Sequence, residues 1–245
     1  MNEPRLDISI VIPAFNESPK IGRDVEAAAS FFEQAGLEGE IIIVDDGSSD
    51  DTAEAARRAD LPSSVKRTVL RLDRNSGKGA ALRHGILESR GKVVLYADSG
   101  TCIPYANALP VIRRIMAGEL DLGLASRRLE ETVIVRNRPV RRRIISWIFR
   151  QAAILIARLP RWVSDSQCGF KVYGGDVARS LFAELVTSGF LFELEIIMKA
   201  LRRGLRIEEF PVAWTCDLDT RLRPASQATN VVKELFRIRA MMKKE

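Results

Sequence analysis

EIIIVDDGSSDDT, Glu40 to Thr52, decides the fold. It opens on a run of apolar, mostly β-branched residues too short to make a helix of ordinary length. Such a run predicts a strand buried on both faces, as in a covered parallel sheet. It stops at two adjacent carboxylates, Asp45 and Asp46, and a Gly/Ser/Asp turn leads into the helical stretch SDDTAEAARRA. Strand, polar turn and helix in that order form part of a βαβ unit.

Outward from it the same unit recurs. ISIVIPA (Ile8 to Ala14) is another buried strand; SPKIGRDVEAAASFFEQAG follows with helical spacing, Ser18 as its N-cap and Gly36 as its stop. VKRTVLRLD (Val65 to Asp73) predicts a third strand, GKGAALRHGILESRG a third helix, and KVVLYAD (Lys92 to Asp98) a fourth strand. Residues 1–126 therefore read as a doubly wound α/β half. The remainder is less regular: DLGLASRR a strand with a basic end, an apolar helix over Ile144 to Pro160, DSQCGFKVYGG loop and strand, GFLFELEIIMKALRRG a helix, LRIEEFPVAW a strand. Residues 127–225 make an acceptor half and 226–245 a basic amphipathic helix. No Pro- or Gly-rich hinge divides the chain, so a single domain is expected.

Composition is that of an ordinary globular protein: 46% hydrophobic and 29% charged residues in 245. The net charge of +6 suits an anionic partner without choosing one. Nucleic acid is disfavoured, because aromatic residues do not interleave with the basic runs. Cys102, Cys168 and Cys216 form no CxxC pair and read as reduced thiols, and the one histidine, His84, reads as structural. No signal peptide opens the sequence, and no apolar run reaches the ~18 residues of a membrane span. A cytoplasmic protein is expected.

In an open parallel sheet ligands bind beyond the carboxyl ends of the strands. Those ends here read PAFNES, DDGSSDD, DRNSGKG and DSGT. Turn geometry and helix capping, for example by Ser48 or Asp50, account for some of these residues. They do not account for Asp45-Asp46 directly after IIIV, or for a lysine between two glycines. One shared nucleotide site is the reading adopted. Neither a Walker loop nor a dinucleotide fingerprint fits: Gly79 follows Lys78 where Ser or Thr is required, and no GxGxxG follows the first strand.

ISIVIPAFNE, IIIVDDGSSDDT and NSGKGAALRHG, in that order, resemble family-2 glycosyltransferases of the GT-A fold. SDSQCGFKVY, FELEII and EEFPVAW narrow the resemblance to dolichyl-phosphate and polyprenyl-phosphate sugar transferases, the glucosyl branch first and the mannosyl branch next. It covers residues 7–215 and implies an inverting transfer from a UDP- or GDP-sugar to a lipid phosphate at the cytosolic membrane face. It also implies that Pro13, Phe15, Glu17, Asp45 and Asp46 meet the base and ribose, with Lys78 near the donor. Asp98 would begin the metal motif for Mg²⁺ or Mn²⁺. Arg127 would lie near phosphate, with Arg128, Asp165, Gln167 and Glu193 toward the acceptor; Asp98, Arg127 and Asp165 are the catalytic candidates.

The sequence departs from that pattern where the second metal-binding Asp is expected: Gly100 stands there. Three outcomes are open. Asp98, water and the diphosphate hold the ion; Lys78, Arg127 and Arg128 neutralise the diphosphate directly; or the chain binds nucleotide-sugar without turnover. A soluble hydroxyl acceptor is the alternative to the lipid, and Asp165 or Glu193 is then the candidate base. RNRPVRRR, Arg136 to Arg143, five of whose eight residues are arginine, precedes the apolar helix. It reads either as a solvated loop beside an ordinary core helix or as a phosphate-seeking loop beside an interfacial helix, the second giving peripheral membrane contact.

Overall fold

A computed structural model describes residues 6–136, 140–216 and 228–244. In chain order the elements are β1 (Ile8–Ala14), α1 (Ile21–Ala35), β2 (Gly39–Asp45), α2 (Thr52–Arg58), β3 (Lys66–Arg71), α3 (Lys78–Glu88), β4 (Val93–Ala97), α4 (Leu109–Met116) and β5 (Leu122–Ser126). Then come β6 (Val133–Arg136), α5 (Val140–Ala152), β7 (Phe170–Gly174), α6 (Gly175–Ala183), α7 (Phe192–Arg202), β8 (Ile207–Pro211), β9 (Ala213–Thr215) and α8 (Ala228–Lys244). The main sheet runs β3-β2-β1-β4-β7-β5-β8, and β6 pairs with β9 in a small second sheet.

Period-2 alternation builds two cores from each central strand. Ile8, Ile10 and Ile12 of β1, with Val93 and Leu95 of β4, face Val25, Phe31 and Phe32 of α1. Val11, Val94 and Tyr96 face the opposite layer, with Leu82 and Ile86 of α3, Phe182 of α6 and Phe192 of α7. Burial on both faces is the physical reason these strands read as unbroken apolar runs. The fold is a mostly parallel α/β sheet flanked by helices in a single domain.

β7 is the exception in direction. It lies between β4 and β5 and is antiparallel to both. Its N-terminal end therefore shares an edge with the C-terminal ends of β1, β2 and β4, and the amide of Asp98 donates to the carbonyl of Gly169 at 2.8 Å. That reversal carries residues 165–169 into the region where the parallel strands end.

Some local expectations are corrected. Ser18 does not cap α1. The Glu17 carbonyl accepts from the amides of both Lys20 and Ile21, so a turn consumes residues 18–20 and the helix begins at Ile21. Gly36 does end it, in the left-handed region at φ 64°. α2 starts at Thr52 behind Asp51, and the Ser48 hydroxyl instead accepts from the Asn16 amide. The apolar helix begins at Val140 and passes at Ala153–Ala157 into one π-helical segment. LRIEEFPVAW is two strands in two sheets, parted at Val212. Of the expected basic loop, 137–139 lie outside the described residues, as do 217–227 and 245 around the C-terminal helix.

Candidate active site

The turn after β1 and the turn after β2 are stitched together through polar side chains. Asn16, at φ 55°, receives its side-chain contact from the Ser49 amide at 2.7 Å, and the Glu17 amide donates to the Thr52 hydroxyl at 2.8 Å. Pro13 is half-buried at the end of β1 and Phe15 lies exposed just beyond it. Glu17 sends its carboxylate toward Lys20 at 3.8 Å.

Asp45 and Asp46 are both buried but differ in what they hold. Asp45 accepts from the Ser48 amide through Oδ1, while Oδ2 has no hydrogen-bond partner and faces Arg71 Nε at 3.5 Å. A carboxylate oxygen so placed is suited to accept from a base N–H or a ribose hydroxyl. Asp46 instead takes the amides of Ser76 and Gly77 at 2.7 and 2.9 Å, clamping the β3–α3 turn to β2. Burial raises its pKa, and those two amides offset part of the rise.

The clamp delivers Lys78, first residue of α3, to the end of β4. Its ammonium sits 2.6 Å from Asp98 Oδ1 and about equally far from two aromatic rings, 5.4 Å from the centroid of Tyr96 and 5.5 Å from that of Phe192. Burial works against the charge, yet Asp98 and Glu193 more than offset it and hold the Lys78 pKa above its ordinary value. The two glycines around Lys78 have a packing cause. A Cβ on Gly79 would fall 2.5 Å from the Thr187 carbonyl, and one on Gly77 2.6 Å from that of Ser188. They let the α6–α7 loop lie directly on the first turn of α3, where Ser188 accepts from the Ala80 amide.

Asp98 rests on Gly169, where any side chain would collide with the carboxylate at 1.9 Å. Beyond Gly169 lie Asp165 and Gln167, which meet Arg127 at the end of β5. The Arg127 guanidinium grips both oxygens of Asp165 at 2.6 and 2.8 Å and also donates to the Gln167 carbonyl. It stacks over Trp214 at 5.7 Å. Burial opposes its charge, but Asp165 raises its pKa further above the ordinary value. Gln167 Nε2 is buried without a hydrogen-bond partner. Asp45, Asp46, Lys78, Asp98, Gln167, Arg127 and Asp165 thus occupy one edge of the sheet.

Two expected residues sit apart from that edge. The Arg128 side chain turns to Ser146 of α5 at 3.0 Å. Glu193 is buried beneath the site, bonded to Tyr96 and to Lys171, whose ammonium is 2.6 Å away. Burial pushes the neighbouring Cys168 thiol up to about 12, so it stays protonated.

Three contributors escaped the sequence reading. Asp24 of α1 is buried and accepts from the Gly100 amide through both oxygens, at 3.0 and 2.9 Å. A carboxylate in step with Ile21, Val25 and Ala28 on an apolar stripe was the available signal. Lys171, buried within FKVYG, offered the same kind of signal in a strand. Glu209 accepts from the amides of Ser164 and Asp165 and fixes the turn that presents Asp165; nothing in EEFPVAW distinguished it.

A hard divalent ion wants about six oxygen ligands. Among the described residues no group of three His, Cys, Asp or Glu side chains is disposed to hold one. Gly100 adds none, and Asp98 is already neutralised by Lys78. The donor set of the protein alone does not fit a resident cation.

Residues 9–182 match the sequence profile of glycosyl transferase family 2. A dolichyl-phosphate beta-glucosyltransferase from Drosophila melanogaster is 32% identical over 97% of this chain and 76% of its own length. Another, from Dictyostelium discoideum, is 31% identical over 95% and 73%. Among solved structures, glucosyl-3-phosphoglycerate synthase from Mycobacterium tuberculosis, in complex with Mn²⁺, UDP and glucosyl-3-phosphoglycerate, superposes with a TM-score of 0.68 at 20% identity. The alignment covers 97% of this chain and 80% of that one.

Proposed function

Because this chain belongs to glycosyl transferase family 2, with dolichyl-phosphate beta-glucosyltransferases among its relatives, we propose that it moves a hexose, with inversion, from a nucleoside-diphosphate sugar to a polyprenyl phosphate. UDP-glucose is the first donor to try and GDP-mannose the second. Pro13, Phe15, Glu17, Asp45 and Asp46 receive base and ribose. Lys78 and Arg127 face the diphosphate, and Asp165 with Gln167 orients the acceptor. The first 126 residues chiefly serve the donor and residues 127–225 chiefly the acceptor.

One observation carries the choice of acceptor. Both carboxylates that could serve as a general base are committed: Asp165 to Arg127 through both oxygens, Glu193 to Lys171 and Tyr96 in the interior. A hydroxyl acceptor needs a base to take its proton. A phosphate monoester, with a second pKa around 6, arrives largely ionised and needs none. An ion such as Mg²⁺ or Mn²⁺ carried in on the diphosphate would find Asp98 as its protein carboxylate, and the reading requires no step through it.

Membrane contact at the cytosolic face belongs to the same reading. Val140, Ile144, Trp147 and Ile148 of α5 are exposed at i, i+4, i+7 and i+8, a single apolar stripe open to solvent, with Arg141 and Arg143 also exposed. Among the described residues no helix is long and apolar enough to cross a membrane. The stripe and its arginines suit an interfacial helix on an anionic leaflet.

Incubation with UDP-glucose, GDP-mannose and related donors and a short polyprenyl phosphate tests the reading. A glycosylated lipid phosphate is the expected product. Transfer to a soluble hydroxyl acceptor but not to the lipid would reject the acceptor, and donor binding without any turnover would reject the enzyme reading.

A further inference from the structure

We propose that the Lys78 ammonium, aimed by Asp98, does at the leaving diphosphate what a divalent cation does elsewhere. This rests on the donor reading above and adds the identity of the group that takes up the charge.

Three observations carry it. First, the carboxylate expected at position 100 is missing, and the backbone there is engaged elsewhere, since the Gly100 amide donates to both oxygens of Asp24 on α1. The turn after β4 is thereby pinned to the helix layer. Second, the remaining carboxylate is matched one to one by a cation of the chain itself. With Lys78 Nζ 2.6 Å from Asp98 Oδ1, the pair is neutral, and an ion entering there meets an ammonium beside its ligand. Third, the ammonium is placed and does not sweep an arc. Its side chain is 16% exposed, its charge lies near the Tyr96 and Phe192 rings, and the first turn of α3 is locked by the Ser188 carbonyl and by the Asp46 clamp.

A lysine ammonium has three N–H donors. One satisfies Asp98, leaving two for phosphate oxygens. In the transfer, an acceptor phosphate oxygen forms a bond to C1 of the sugar as the bond from C1 to the diphosphate oxygen breaks. The released electron pair stays on the terminal phosphate, and Lys78 meets the charge that develops there. With an ionised acceptor no proton has to be moved, so Lys78 remains an ammonium throughout. Asp98 is then a positioning residue, setting where the ammonium points.

Calorimetric titration of the full chain with UDP, GDP and uridine, in Mn²⁺ and in chelator, tests this. For whichever diphosphate binds, affinity in chelator should stay within about threefold of that in Mn²⁺. Lys78→Met should weaken that diphosphate by about tenfold or more, change uridine little, and be partly rescued by Lys78→Arg. Asp98→Asn, which removes the charge that aims the ammonium but leaves the ammonium itself, should weaken diphosphate binding in chelator by less than Lys78→Met does and change uridine little. Wild-type diphosphate binding that falls tenfold or more on chelation, or binding in chelator that Lys78→Met leaves unchanged, would overturn the inference while leaving the donor reading intact. Absence of binding by both UDP and GDP under either condition would bring down the donor reading and this inference with it.

Discussion

Arg127 and Asp165 are worth most to one another because Asp165 is buried and the Arg127 side chain, 12% exposed, is largely so. Removing one partner of such a pair strands the other charge in the interior, a loss of about 3–5 kcal/mol. Asp165→Ala should therefore lower the unfolding free energy by that order in urea titrations, and Asp165→Asn by less. Asp24 tests a different balance. Burial, partly offset by the Gly100 amide and Ser99, lifts its carboxyl from the ordinary 3.8 to about 6. A group with a raised folded-state pKa binds its proton more tightly in the native chain. Its contribution to stability is thus present below about pH 4, declines as pH rises to about 6 and is level above that; the span is about 3 kcal/mol. Asp24→Asn lacks this dependence, so its stability relative to wild type should rise between pH 4 and pH 6 and then hold. Asp45, Asp46, Lys78 and Asp98 were legible as residues because carboxylates and a lysine stood at strand ends. The carboxylates that fix the neighbouring turns were not, since Asp24, on the Gly100 amide, and Glu209, on the amides of Ser164 and Asp165, come from distant elements and only tertiary packing brings them in.

At the scale of elements, the first turn of α3 is a joint that tolerates no added methyl. Gly79→Ala would drive a Cβ into the Thr187 carbonyl and within 2.8 Å of Phe192 Cβ, and overpacking of this kind costs about 1–3 kcal/mol. Gly22→Ala, on α1 with open space around it, should be neutral or raise stability by about 0.5–1 kcal/mol. In thermal melts Gly79→Ala should fall below wild type while Gly22→Ala stays level with it or rises. β1, β2 and β4 could be read directly, because a strand covered on both faces leaves an unbroken apolar run, whereas β3, a part-exposed edge strand carrying Lys66, Arg67 and Arg71, was legible from its place in the alternation of strands and helices. β6, α6 and the split between β8 and β9 could not. β6 is largely exposed and four residues long, so its pattern is weak, and the split turns on a single residue, Val212.

Across the whole molecule, the proposed function turns the open stripe on α5 toward a lipid surface. Each basic residue near an anionic leaflet contributes about 1 kcal/mol, so a handful gives reversible attachment. Vesicles rich in anionic lipid should sediment the protein and shift Trp147 emission to shorter wavelength, and Trp147→Glu with Ile148→Glu should abolish both. Equal sedimentation with neutral vesicles would count against the assignment. The parallel, doubly wound plan was legible from the order of strands and helices. The insertion of β7 was not, because no local pattern encodes direction within a sheet.

That inserted strand has a consequence for how the chain is made. β4 gains its second neighbour only when Gly174 has been synthesised, and β5, though complete by Ser126, has no partner before β7 arrives. A nascent chain halted at residue 126 therefore presents the bare apolar edge of Val93 to Ala97, the kind of edge that recruits other chains. Expressed alone, that fragment should be found in inclusion bodies, while one extended through α6 should be recovered from the supernatant at least in part.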